Sequence, residues 1–270
     1  MLIDISWNQY KITNLNLGSM LNIVVPMAGR GSRFATAGYT DPKPLIPLHG
    51  VPMIRVVIEN LKPSRPHRFI FVCQNEHIAA YGLRDKLKAW APGCEIIGLD
   101  GITEGAACSV LAARHLIDND DALMIANSDQ YVKCEINTYL DAMTDNEDGL
   151  IMTMSSDDPK WSFVGFDDDG KVTRVVEKEV ISDEATVGIY NFRRGHDFVS
   201  NADEMIARND RVKNEFYVAP VYNYMIRKGE HIGVYNIGSE ADGMYGLGIP
   251  ADLEIFLNHP ISDVARRIAD

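Results

Sequence analysis

Four short, nearly continuous apolar runs mark the first half of the chain: residues 21–27 (LNIVVPM), 67–73 (HRFIFVC), 94–99 (CEIIGL) and 122–129 (ALMIANSD). Runs of this length without polar alternation predict strands buried on both faces of a sheet. Between them the apolar positions fall at helical spacing, in 51–61 (VPMIRVVIENL), 78–90 (IAAYGLRDKLKAW) and 105–117 (GAACSVLAARHLI). The first of these places Pro52 where a proline suits an opening helical turn. Strand, helix, strand in this order predicts parallel pairing with helices on both faces, an α/β architecture. The second half has another rhythm. Residues 161–178 (WSFVGFDDDGKVTRVVEK) alternate on either side of Asp169-Gly170, which predicts a hairpin, followed by a strand at 185–192, two helical segments and a strand at 232–237. Antiparallel strands joined to a parallel set give a mixed central sheet. No internal repeat or low-complexity linker divides the chain. Residues 1–20 precede the first strong strand and read as an N-terminal extension, with Met20 as an alternative start, and 21–270 read as a single domain in two halves, 21–150 and 151–258.

Composition narrows the classes. At 270 residues and 46% hydrophobic content the chain can bury a sizeable core. No apolar run approaches the roughly 20 residues of a transmembrane helix, and the first 20 residues lack the basic start and apolar stretch of a signal peptide. The expected setting is therefore the cytoplasm, away from membranes. A net charge of −12 argues against a nucleic-acid surface, which needs clustered Lys and Arg, so any anionic ligand must meet a local basic site. Four cysteines without a C-x-x-C spacing are expected to be reduced, buried thiols. The seven histidines form no cluster, and the acidic turn at 167–169 reads as solvated hairpin charge rather than a calcium loop.

Candidate chemistry begins directly after the first predicted strand, in residues 26–50 (PMAGRGSRFATAGYTDPKPLIPLHG). Ligands of open parallel sheets bind beyond the carboxyl ends of the strands. Gly29 and Gly31 let the backbone approach a ligand and aim N–H groups at it, which suits a phosphate. No G-K-[ST] follows, so this is no P-loop, and Phe34 stands where a dinucleotide fingerprint needs its third glycine. Arg33 and Lys43 bracket the glycine loop in an acidic protein, an arrangement suited to a triphosphate.

Gly29-x-Gly31-x-Arg33-Phe34, Lys43-Pro44-Leu45-Ile46-Pro47 and Gly50-x-Pro52-Met53 resemble the signature of the sugar-phosphate nucleotidyltransferases, the nucleoside-diphosphate-sugar pyrophosphorylases. The resemblance extends from residue 21 to about 258, and the second half is most similar to members encoded with bacterial capsule and surface-polysaccharide genes. It implies a Rossmann-like fold with a mixed sheet and a small inserted acceptor-binding β part. It also implies transfer of a nucleotidyl group from a nucleoside triphosphate, CTP or another, to a small phosphorylated acceptor such as a sugar, polyol or amino-acid phosphate, with release of pyrophosphate. By that resemblance the first half binds the nucleotide and the second the acceptor. The backbone of Ala28, Gly29, Gly31 and Ser32 would cradle the triphosphate, Arg33 would neutralise the leaving pyrophosphate, and Lys43 would face the α-phosphate. Glu104 and Gly105 would face the base. Asp129, at the end of a buried strand, would hold Mg²⁺, with Mn²⁺ as a substitute. Lys178 of the Glu177-Lys178 pair would grip the acceptor's phosphate, and Gly188 and Tyr190 would line its pocket.

One departure stands out. Many members carry a second metal-binding aspartate two residues before the glycine of a G-T-P-E-D-L stretch, and here Gly246 of GLGIPADLEIF holds that place. Asp129 would then hold the metal with substrate oxygens and water, or with Glu240 or Asp242 from the preceding loop. Two other readings stay open: a nucleotide-sugar-dependent glycosyltransferase, which has no need of an Arg33 and Lys43 pair, and a non-catalytic nucleotide-binding regulatory domain. Each cation also has a bland reading. Lys178 could simply pair with Glu177 or Glu179 on a solvated edge.

Overall fold

The computed structural model describes residues 20–269, so the expected extension lies outside the described residues apart from Met20. Strands β1 (Leu21–Pro26), β2 (Pro47–Leu48), β3 (Val51–Pro52), β4 (His67–Gln74), β5 (Glu95–Leu99) and β6 (Ala122–Ala126) belong to the first half, together with β7 (Gln130–Val132). Helices α1 (Ser32–Thr36), α2 (Met53–Leu61), α3 (Asn75–Tyr81), α4 (Leu83–Trp90), α5 (Ala106–Leu111), α6 (Arg114–Ile117) and α7 (Ile136–Asp141) connect them. The second half supplies β8 (Gly149–Ser155), β9 (Ser162–Phe166), β10 (Val172–Glu177), β11 (Glu184–Phe192), β12 (Ile232–Glu240) and β13 (Gly243–Gly246), with α8 (Gly195–Ala207), α9 (Val221–Arg227), α10 (Pro250–Asn258) and α11 (Asp263–Ala269).

All strands but β2 and β3 join one mixed sheet in the order β5-β4-β1-β6-β11-β8-β12-β13-β7, with the β9–β10 hairpin attached through β11. The first four run parallel, and β11 enters antiparallel between β6 and β8. Chain order reverses at β1, which has β4 on one side and β6 on the other. The crevice beyond the carboxyl ends of β1 and β6 is therefore the topological switch point where ligands of such sheets bind.

Alternation along β1 explains the two main cores. Leu21, Ile23 and Val25 face a cluster with α2, α4 and α7, whereas Val24 faces α5, α8 and α9. Burying each such side chain contributes about 1.5–3 kcal/mol. A third cluster, around Phe34, Leu247 and Phe256, ties α1 and α10 to β13.

Several predicted helices are broken, each for a local reason. Residues 78–90 divide at Gly82, whose φ of +58° ends α3 and starts α4. Residues 105–117 divide at Ala112 and Ala113 into α5 and α6. Pro52 precedes α2 rather than opening it, because Val51 and Pro52 pair with Leu48 and Pro47 in a small hairpin. The 161–178 hairpin forms as expected, and the Asp167 carboxylate accepts from the N–H groups of Asp169 and Lys171, so this acid holds the turn. All four cysteines are free, but only Cys73 and Cys94 are buried; Cys108 and Cys134 are half-buried. Burial pushes the Cys73 thiol up to about 12.

Candidate active site

A cavity of about 530 Å³ opens beyond β1 and β6. Its wall contains Ala28, Gly29 and Arg30 from the first loop, Lys43, Thr103 to Ala106, Asn127 to Asp129, and Asn214 and Glu215 from the far half. The glycine loop is pinned from below, where the Gln74 side-chain amide donates to the Ala28 carbonyl at 2.6 Å. Gly31 has φ +60°, caps α1 and packs on Lys43, whose Cβ lies 3.3 Å from where a Gly31 Cβ would stand. The left-handed φ favours glycine, and a side chain here would also press on Lys43.

The Lys43 ammonium donates to the Asp129 carboxylate at 2.7 Å, with the two side chains 23% and 24% exposed. Residues 86 apart in sequence thus bring a cation and a carboxylate together at the cavity wall. Asp129 is held on its other side by the segment after β13: its carbonyl accepts from Leu247 N–H, and a Cβ on Gly248 would stand 2.6 Å from its Oδ2.

The 103–107 loop is braced by the segment before α9. Phe216 N–H donates to the Glu104 carbonyl and Ala107 N–H to the Phe216 carbonyl. The Glu104 carboxylate pairs with Arg211, whose guanidinium lies 4.2 Å over the Phe216 ring. The Glu104 side chain is thereby tied to this brace, and the loop backbone forms the wall. Gly105 has φ +133°, and a Cβ there would lie 2.4 Å from the Phe216 carbonyl oxygen. Gly105→Ala should lower the melting temperature by several degrees, since backbone strain of this kind costs about 1–3 kcal/mol. Gly29→Ala, with open space around its Cβ, should melt within a degree or two of wild type in the same scan.

Not every expected residue lies in this wall. Among the expected nucleotide-binding and catalytic residues, Gly31, Ser32 and Arg33 stand outside it, the last two exposed on α1. Lys178, Gly188 and Tyr190 also stand outside it, each with contacts of its own. Lys178, at φ +59°, donates its ammonium to the Tyr217 hydroxyl at 2.6 Å and lies 4.6 Å over that ring. Among the described residues it makes no salt bridge with Glu177 or Glu179. Glu177 instead accepts from Ser162, and burial raises its carboxyl against the opposing influence of that bond and of Lys178. Tyr190 is buried beside Tyr222, its hydroxyl bonded to Thr186, and burial raises its phenol. Gly188, at φ +82°, makes the bulge in β11; a Cβ there would collide with the Asn127 amide.

Sequence reasoning missed several groups here. Arg30 and Asn127 line the cavity, and Tyr217 receives Lys178. Gln130 is 6% exposed and its amide nitrogen has no partner. Asp252 stands beside Gly246. Only the run of polar residues at 127–130, closing an apolar strand, carried a signal in the sequence.

Residues 23–222 match the family model described as Nucleotidyl transferase. Among curated relatives, the bifunctional protein GlmU of Methanococcus maripaludis is 26% identical over 258 residues, covering 92% of this chain and 57% of its own length. GlmU of Lactobacillus johnsonii is 25% identical over 227 residues, covering 80% and 46%. The chain spans about half the length of these relatives. The crystal structure of a nucleoside-diphosphate-sugar pyrophosphorylase from Vibrio cholerae RC9 superposes with a TM-score of 0.72 at 27% identity, covering 88% of this chain and 100% of that one. The inositol-1-phosphate CTP transferase from T. maritima has the same fold, with a TM-score of 0.72 at 14% identity, covering 94% and 98%.

Proposed function

The chain belongs to the nucleotidyl transferase family, and from that premise we propose that it transfers a nucleoside monophosphate from a nucleoside triphosphate to a small phosphorylated acceptor, a sugar phosphate or related surface-polysaccharide precursor, releasing pyrophosphate. The observation that carries this reading is the Lys43–Asp129 pair at the wall of the cavity that also contains the glycine loop and the 103–106 loop. A cation able to face a phosphate and a carboxylate able to hold a metal meet where a triphosphate would lie. The donor is CTP or another of the common triphosphates.

In the proposed reaction an acceptor phosphate oxygen attacks the α-phosphorus in line. The bond to the β-phosphate oxygen breaks, and pyrophosphate leaves with the electron pair. Positioning and charge stabilisation carry such a transfer, without a covalent enzyme intermediate. Residues 21–150 would bind the nucleotide: the backbone at Ala28, Gly29, Gly31 and Ser32 on the phosphates, and Glu104 and Gly105 on the base. The Lys43 ammonium, released from Asp129, would face the α-phosphate. Arg33, exposed on α1, would reach inward to the leaving pyrophosphate. Asp129 fits Mg²⁺ or Mn²⁺ in donor chemistry, being a hard oxygen ligand at a spot where the protein already holds a cation. When bound, the metal would neutralise charge on the triphosphate oxygens.

Residues 151–258 would bind the acceptor, with Lys178 on its phosphate and Gly188 and Tyr190 beside it. Tyr217 holds the Lys178 ammonium in one place, which supports a positioned rather than a roaming cation. Lys178→Ala should raise the Michaelis constant for the acceptor about tenfold or more, the worth of one charge-assisted contact. Triphosphate affinity measured by calorimetry should stay within about twofold. Unaltered acceptor kinetics would remove Lys178 from the site.

The reading is tested by a thermal-shift screen of ATP, CTP, GTP and UTP with Mg²⁺. A bound triphosphate at 100 times its dissociation constant should stabilise the protein by about 2.7 kcal/mol. A protein whose melting moves with none of the four contradicts the proposal.

A further inference from the structure

Gly246 and Gly248 flank Leu247 at the end of β13. Tyr245 and Leu247 both pack into the cluster around Phe34 and Phe256. Strand alternation therefore holds through Leu247, and the two glycines share the opposite face. Each points at a carboxylate. A Cβ on Gly248 would stand 2.6 Å from Asp129 Oδ2, and a Cβ on Gly246 would stand 3.0 Å from Asp252 Oδ2. An aspartate's own oxygens lie at a comparable distance from its Cβ, so the Asp252 carboxylate occupies the space that a carboxylate carried by residue 246 would fill.

Asp252 reaches this place from the first turn of α10. It is half-buried, and burial raises its carboxyl, with Lys160 and Arg33 opposing the rise and Glu240 and Asp129 adding to it. Neither alternative carboxylate is so placed. Glu240 is exposed and pairs with Lys160 at 2.7 Å, and Asp242 is exposed in the turn before β13. Two residues along a strand span roughly 7 Å, so the two carboxylates stand beside neighbouring positions of one short stretch, with Lys43 now on Asp129.

We propose that Asp252 is the second carboxylate of the divalent-cation site, acting with Asp129 in the space left by Gly246. The inference rests on the reading of Asp129 as a metal ligand, and it explains why residue 246 lacks a side chain: an aspartate there would crowd Asp252. Its backbone does not demand glycine, since φ at 246 is not positive.

The test is a Mn²⁺ titration of the whole protein followed by electron paramagnetic resonance, with Mn²⁺ alone as the probe. Asp252→Asn and Asp129→Asn should each weaken Mn²⁺ binding about tenfold or more, a loss at the low end of what removing even an outer partner of a metal site causes. Glu240→Gln should leave it unchanged. The double variant Gly246→Asp/Asp252→Ala, which clears the space and returns the carboxylate from the other side, should regain affinity to within about threefold of wild type. Circular dichroism checks that each near-isosteric variant is folded. Wild-type affinity in Asp252→Asn with a loss in Asp129→Asn overturns the assignment of Asp252 alone. Wild-type affinity in both, or a wild-type protein that binds no Mn²⁺, overturns the metal reading of Asp129 and this inference with it.

Discussion

Lys43→Ala should lower turnover by about a hundredfold or more while changing triphosphate affinity much less. Removing one fixed charge aimed at the reacting centre typically costs this much in rate, because the charge stabilises the transition state more than the ground state. The resting structure adds a second consequence. Lys43 occupies the Asp129 carboxylate at 2.7 Å, so its removal frees that carboxylate, and Mn²⁺ affinity should hold or rise in the same variant. Steady-state kinetics with calorimetry separates the two effects. A variant with near-normal turnover would remove Lys43 from the chemistry.

Asp129→Asn should abolish most activity and leave the fold intact. The amide keeps the shape and loses the charge that a hard divalent cation requires. The backbone contact from Leu247 to the Asp129 carbonyl does not depend on the side chain. The ion pair with Lys43 is about three-quarters buried on each side, so its loss should cost more than an open surface pair but only on the order of 1 kcal/mol, a shift of a few degrees in melting. Full activity with ordinary metal dependence in this variant would move the ligand elsewhere.

The architecture was legible wherever the sequence signal is local. The apolar runs at 21–27 and 67–73 coincide with β1 and β4 to within a residue or two, because a strand covered on both faces admits few polar residues; the run at 94–99 coincides with β5, but as the outer strand of the sheet it is only partly buried, not covered as expected. The 122–129 run overshoots β6, since its last three residues, Asn127 to Asp129, leave the sheet to line the cavity. The break at Gly82 was written in the sequence as a glycine inside a helical pattern, yet amphipathic spacing on either side outweighed it. β8, a central strand, passed unremarked although Gly149–Ser155 is buried for six of its seven residues and a polar run at 144–148 leads into Asp148-Gly149, the same dipeptide as in the Asp169-Gly170 turn.

The site was legible in part, and the boundary has a physical cause. Gly31 and Lys43 could be placed together because they share one short connection. The union of Lys43 with Asp129 needed β1 and β6 side by side, which sequence order implied only through the parallel pairing. The missed groups act through tertiary neighbours. Tyr217 matters through the Lys178 ammonium it receives, Gln130 through an amide left unpaired at 6% exposure, and Asp252 through a carboxylate six residues from the glycine it stands beside. None of these has a spacing that distinguishes it from an ordinary helix or strand residue. Glu104 illustrates the opposite case: it lines the cavity, while Arg211 pairs with its carboxylate in the bracing segment.

The central claim is nucleotidyl transfer to a phosphorylated acceptor. Its most direct measurement is pyrophosphate release from ATP, CTP, GTP and UTP with Mg²⁺, against a panel of small acceptors such as glucose 1-phosphate, inositol 1-phosphate and glycerol 3-phosphate. The account predicts one preferred triphosphate, with pyrophosphate and a nucleoside-diphosphate-linked product appearing in equal amounts and only when an acceptor is present. Pyrophosphate formed without any joined product, or transfer of a sugar from a ready-made nucleotide sugar instead, would contradict it.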